Sequence, residues 1–340
     1  MLKRMVLFFL VFCSLTLAGQ ISAEDRKRYP IIVPTNFKTI KEAVENAKPG
    51  DTILVKEGVY EEKEGFGLKN GLKIEGKGAD KTIIKVGPRG ITKAPYWVES
   101  DYIKEKLITK TISNEPPRPG GAKEPERFIL KLSPQGRAKA AAGKDNLDNV
   151  AIKGLSMELS GESLRVSGAT GFLLQDCLIT SKSILACIQV DASKNVQILN
   201  CTIVNSAVGV SVLWGPVDLT VRNSIFYNNK TAIRIWETPI ASDTTGWPKE
   251  KIEELRRQPR EDVKVTLTYN DFWDNAANCY KCKKGEFDIS KDPEFIDPEK
   301  LDFHIGGRSP CINAGDPDQK YNDPDGSRND IGAFPFAGKK

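Results

Sequence analysis

Polar residues recur at one position of a repeating pattern: Arg165, Gln189, Ser211 and Arg234, separated by 24, 22 and 23 residues. Two positions further along each repeat stand Ser167, Asp191, Leu213 and Trp236, with Trp214 and Glu237 next to the last two. A guanidinium gives paired hydrogen bonds to a carboxylate, an amide serves hydroxyl groups, and an indole face stacks on flat apolar surface. That mixture on one outward face suits a polysaccharide, with Gln189, Trp214 and Trp236 as the binding residues. Arg165, Asp191, Arg234 and Glu237 are the candidates for catalysis, being the carboxylates and guanidinium groups this face offers for acid–base work. The same residues also fit a solvated face whose two tryptophans pack beneath an insertion.

Other reactive side chains are sparse. Asp323, Asp325 and Asp330, with Asp316 and Asp318 nearby, are clustered carboxylates of the kind that hold calcium, yet Asp-Pro and Asp-Gly turns explain them as well. His304 is the single histidine, which excludes histidine-based triads and polyhistidine metal sites and leaves it a structural role. Cys279 and Cys282 form one CxxC with no histidine beside it, weak support for zinc. A disulfide among Cys279, Cys282 and Cys311 is the expectation for the chain's end. Cys177 and Cys201 hold equivalent positions 24 residues apart and read as small buried hydrophobes.

The elements that must position these groups are written in apolar pairs. Val150, Phe172, Val196 and Leu219 are each followed two residues later by Ile152, Leu174, Ile198 and Val221, at spacings of 22, 24 and 23. A second register runs Leu164, Ile188, Val210 and Ile233, followed by Val166, Val190, Val212 and Ile235. Two period-2 pairs locked to one repeat predict two short strands per coil of an all-β solenoid with an apolar interior and coils of about 23 residues. Gly154, Asp176, Asn200 and Asn223 fall between the pairs and suit a repeated corner, because glycine, asparagine and aspartate tolerate left-handed backbone. The pattern returns at Val265 and Leu267, 46 residues after Leu219, with the corner Asn270 displaced by one.

The run Val196-Gln-Ile-Leu-Asn-Cys-Thr-Ile203 resembles the Val-x-Ile-x-x-Asn-Cys-x-Ile repeats of right-handed parallel β-helix proteins of the pectate-lyase-like superfamily, with one residue fewer before the Asn. Residues 39–60 are similar to the amino-terminal caps of bacterial β-helix proteins: a Thr39/Glu42 capping box, an amphipathic helix with Ile40, Ala43, Val44 and Ala47 on one face, then Pro49-Gly50 and a strand at Ile53. Gly58-Val-Tyr60-Glu-Glu62 matches an element of pectin methylesterases, but that family's catalytic carboxylate motif is missing, so it reads as a shared structural turn. Residues 292–333 resemble the closing segment of secreted β-helix proteins called choice-of-anchor Q. The resemblance implies a right-handed β-helix. A lyase of this superfamily would use calcium, Ca2+, with an arginine or lysine base; the elements of polygalacturonases are absent.

Residues 1–23, with Lys3, Arg4, an apolar run and Ala23, predict an export signal and a secreted or periplasmic mature protein with no membrane span. The expected domain then covers 24–335: cap 31–60, insertion 87–148, core coils 149–236, insertion 237–262, and last coil with closing segment 263–335. The net charge of +5 has no basic cluster, which argues against nucleic acid as a partner. Three readings remain: a carbohydrate-associated protein binding polysaccharide or a cell-surface glycan, a polysaccharide lyase or hydrolase using the same face, and a structural or adhesive envelope protein.

Overall fold

The computed structural model describes residues 30–63, 65–87, 130–132, 147–160, 163–181, 186–213, 215–236 and 262–338. The expected export signal, most of the 87–148 segment and residues 237–261 lie outside them. The described chain winds into a right-handed parallel β-solenoid with three sheets of eight, seven and seven strands.

Each sheet contributes one inward column to the core. The first runs Ile31, Ile53, Ile74, Ile152, Leu174, Ile198, Val221 and Leu267 in unbroken parallel register. The second runs Tyr60, Ile84, Met157, Ile179, Ile203, Phe226 and Phe272, where the last two rings stack at 5.0 Å. The third runs Phe66, Leu164, Ile188, Val210, Ile233 and Cys279, with the strand Leu130–Leu132 paired between the first two. Both sequence-derived registers therefore hold residue by residue.

The expectation of two strands per coil is corrected to three. The missed strands are Ser156–Leu159, Leu178–Ser181, Thr202–Val204, Ile225–Tyr227 and Asp271–Trp273, which start one or two residues past the corner. Three sheets require further bends, and a second left-handed corner supplies one of them at Asn205, Asn228 and Asp274, with φ of 56°, 51° and 51°. The first corner is where the sequence put it: Gly154, Asp176, Asn200 and Asn223 have φ between 48° and 62°. In the last coil Tyr269 takes that conformation (φ 56°) and Asn270 stands one residue beyond.

Asparagines turn these corners into rungs between coils. Asn229 sits 2% exposed, accepts from the Ser206 backbone N–H at 3.1 Å and donates to the Ile203 carbonyl at 3.0 Å. Asn270 does the same one corner away, accepting from Ser224 N–H and donating to the Val221 carbonyl, both at 3.0 Å. On the outer side Asn228 donates to Asn205 at 2.8 Å. Backbone groups at a buried bend have no ladder partner, so these amides satisfy them. Cys177 and Cys201 lie between the rungs, fully buried and free, as small hydrophobes.

The helix Ile40–Asn46 closes the amino-terminal end. Its capping box is formed, with Glu42 N–H donating to Thr39 Oγ1 at 3.1 Å, and Ile40, Ala43 and Val44 are fully buried in the core. Lys69 Nζ reaches the carbonyls of Glu45 and Ala47 at the other end of this helix, satisfying orphan acceptors with a cation. Within the expected 87–148 insertion, Leu130–Leu132 is a strand of the third sheet, between Phe66–Gly67 and Leu164–Ser167.

The closing segment packs on the outside of the second sheet. Phe303, Ala333 and Phe334 cover Leu178 and Val204, while Ile305, Cys311 and Ile331 cover Ile225. Hydrogen bonds fix it there: Gly332 N–H to the Asn223 carbonyl at 2.8 Å, Ala333 N–H to Thr202 Oγ1 at 3.0 Å, and Asn200 Nδ2 to Asn329 Oδ1 at 3.1 Å.

The ladders generate two stability predictions. Ile198→Asp places an unpaired charge among fully buried neighbours and should cost at least about 4 kcal/mol, read as a collapsed urea midpoint; a wild-type midpoint would mean the register is wrong. Asn229→Ala leaves a buried N–H and carbonyl unpaired, and the same measurement should show a loss of about 3 kcal/mol.

Candidate functional site

Alternation along the third sheet sends Arg165, Gln189, Ser211 and Arg234 to the outer face, each opposite the next in the parallel register. Asp191 lies opposite Ser167 one step along. The sequence expectation of an outward column is met, but the expectation of an open, solvated face is not. Arg165 is 8% exposed, Gln189 9%, Ser211 3%, Arg234 7% and Asp191 1%. Charged and amide groups at that depth need partners, and among the described residues the structure supplies hydrogen bonds for all but Arg234 Nε, whose guanidinium packs on aromatic rings.

At one end of the column Arg165 and Asp191 form a closed ion pair. Nε and an Nη of the guanidinium both lie 2.8 Å from the same carboxylate oxygen, while Ser167 Oγ donates to the other. Ser193 Oγ donates to the Asp191 carbonyl at 2.7 Å and accepts from Ala169 N–H at 3.0 Å, tying the pair to the next bend. Gln189 donates to Ser163 Oγ at 3.2 Å.

The other end is aromatic. The Arg234 guanidinium lies 3.7 Å from the centroid of Trp236, with Tyr280 beyond at 5.2 Å. Trp236 Nε1 donates to Ser211 Oγ at 2.7 Å, which fixes the indole plane. Trp236 and Tyr280 are only partly buried. Three strand spacings separate Arg165 from Arg234, about 14 Å. Sequence reading missed Tyr280; carrying the Ile233 register one coil further, to Cys279, puts Tyr280 directly after Arg234 in the column. Trp214 and Glu237 lie outside the described residues.

The carboxylates of the closing segment are engaged with backbone. Asp323 accepts from Asp330 N–H at 2.9 Å and Asn329 Nδ2 at 3.1 Å; Asp330 accepts from Asn313 N–H at 2.6 Å and Phe336 N–H at 2.7 Å. Asp325 accepts from Ser327 N–H at 2.9 Å, ahead of Gly326 at φ 85°. This is turn chemistry. Among the described residues no group of three or more histidine, cysteine, aspartate or glutamate side chains converges as a metal site.

The expected disulfide among Cys279, Cys282 and Cys311 is corrected: all three are free. Cys311 belongs to the segment outside the second sheet and donates to Asp271 Oδ2 at 3.4 Å, whereas Cys279 and Cys282 sit at the end of the interior core. Burial pushes the Cys311 thiol well up and the Asp271 carboxyl up to about 6. His304 bonds Asp302 at 2.6 Å and packs on Phe334 at 4.4 Å between centroids, which pulls Asp302 below the usual carboxylate range. That is a structural role.

Neither a protein family model nor a curated protein sequence matches the chain. Among solved structures it is similar to a family 28 exopolygalacturonase of Yersinia enterocolitica, with 12% identity, a TM-score of 0.36, and coverage of 74% of this chain and 55% of that one. It is similar to the ORF18 protein of Geobacillus virus E2, at 12% identity and a TM-score of 0.34, covering 72% and 46%. A rice weevil pectin methyl esterase gives 13% identity and a TM-score of 0.26 over 76% of this chain and 80% of that one. The chain spans about half the length of the first two. Likenesses of this degree bear on neither substrate nor chemistry.

Asp323 makes the closing segment sensitive to pH. Burial, with the charge of Asp330 behind it, pushes its carboxyl from an ordinary 3.8 up to about 7. The fold therefore favours the protonated form, and that stabilisation is complete below about pH 4 and lost as the pH rises to about 7. Urea denaturation across this range should show wild-type stability falling relative to Asp323→Asn. Parallel curves would contradict it.

Proposed function

We propose that this is a secreted or periplasmic carbohydrate-associated β-helix protein that binds a polysaccharide or cell-surface glycan on the outer face of its third sheet, entering at Trp236 and Tyr280. The observation that carries the reading is the stack of Trp236 and Arg234 of one coil with Tyr280 of the next. Two partly exposed aromatic rings flank a guanidinium held in place by packing, which supports recognition of a sugar ring by stacking and of its hydroxyl or carboxylate by hydrogen bonding. Gln189 and Ser211 continue the polar column from that point.

Binding is favoured over lyase or hydrolase chemistry by the state of the remaining candidates. A general base needs a lone pair near the proton it removes, and Arg165 is instead neutralised by Asp191 inside a closed set of hydrogen bonds. Such a pair fixes the shape of the face. The export expectation rests on residues 1–23.

The purified mature protein should be retained on at least one of a panel of acidic and neutral polysaccharides, with and without calcium, and release no product. Trp236→Ala should weaken that retention at least about tenfold, the loss usual for a central aromatic anchor. Unsaturated or reducing-end product would make the same face catalytic; no retention on any glycan would sink the reading in favour of a protein partner.

A further inference from the structure

The strand Ala277–Tyr280 is the last of the third sheet, and Cys279 takes its inward position, directly following Ile233 in the core column. Among the described residues no further strand pairs with it in the third sheet, and Cys279 is only partly buried. Lys281 then adopts left-handed backbone at φ 60° and turns the chain back, which brings Cys282 onto the same end of the core. Cys282 Sγ lies 3.7 Å from the carbonyl oxygen of Ile233, the residue beneath Cys279. The other described cysteines, Cys177, Cys187, Cys201 and Cys311, are all fully buried. Only this pair combines proximity, three-residue spacing and access to solvent.

We propose that Cys279 and Cys282 form a thiol–disulfide exchange site that closes the carboxyl-terminal end of the solenoid, with Cys279 as the attacking thiol, Cys282 as the resolving thiol and a glutathione-type disulfide as the oxidant. The proximity of the two thiols pulls the Cys279 thiol below its ordinary range while pushing Cys282 up. Lys284 reinforces the lowering at Cys279 and Asp288 opposes it. The thiolate is the nucleophile in such exchange, so the order of attack follows. Cys279 thiolate attacks one sulfur of the disulfide, forms a mixed disulfide and expels one glutathione thiolate. Cys282, deprotonated in turn, attacks the Cys279 sulfur and expels the second. Two protein thiols are oxidised to one disulfide, and one oxidised glutathione is reduced to two molecules of glutathione.

The test uses the full mature chain, equilibrated with excess oxidised glutathione under native conditions, alkylated and measured by intact mass and peptide mapping. The expected wild-type product has lost two hydrogens and carries one internal bridge within the Cys279–Cys282 peptide. Cys282→Ser should stop at the first step and accumulate a single glutathione on Cys279, whereas Cys279→Ser should react at Cys282 at least tenfold more slowly. Full alkylation of both thiols after equilibration, a bridge from either to Cys311, or faster adduct formation at Cys282 would each overturn the proposal.

Discussion

The structure depends on one constraint: every coil must bend at the same places while pairing the backbone groups that the bend takes out of the ladder. Left-handed backbone at Gly154, Asp176, Asn200, Asn223 and Tyr269 makes one bend, and Asn205, Asn228 and Asp274 make another. Left-handed backbone is costly for most residues, so apart from Tyr269 these sites are held by glycine or by asparagine and aspartate, whose side chains can also bond the bend. Asn229, Asn270 and Asn275 complete the arrangement by donating to a carbonyl of the coil below, and all three also accept from one of its N–H groups. Once the bends are locked in vertical register, columns of isoleucine, valine and phenylalanine inside have no choice but to stack.

An open solenoid exposes its ends, and this chain treats the two differently. The amino-terminal end is covered by a capped helix whose apolar face completes the core. At the other end Leu267 and Phe272 are still buried, and only the last inward residue of the third sheet, Cys279, is half-covered, with Cys282 beside it. The outside is differentiated as well. The second sheet is buttressed by the closing segment, whose Phe295 and Phe303 cluster with Tyr227 of the sheet and replace water on that face. On the third sheet the polar column is buried and paired along most of its length, Arg234 Nε lacks a hydrogen bond among the described residues, and the aromatic end is the part that meets solvent.

Much of the fold was legible in the sequence, because a buried strand leaves a period-2 trace and a solenoid repeats it. The first and third sheets follow from the spacing of pairs such as Ile198/Val221 and Val210/Ile233. The second sheet's strands from Ser156 onward escaped notice since they are three or four residues long and begin just past the corner, so that Cys201-Thr-Ile203 reads as part of the turn. The membership of the polar column was equally legible, as it follows from alternation alone. Its burial was not, for burial depends on what packs against the face. Nor does any period announce that Ile305, Ile331 and Phe334 will lie against the second sheet.

The most direct test of the stacked-bend architecture is native-state hydrogen exchange resolved by residue. The amides of Leu173–Gln175, Val196–Leu199 and Val217–Arg222, together with Ser206 and Ser224 at the asparagine rungs, should open only with global unfolding and share one protection level. If the rung amides of Ser206 and Ser224 instead exchanged as fast as surface turns such as Asp325–Ser327, the bends would not be the structure's fixed points and the register built on them would fail.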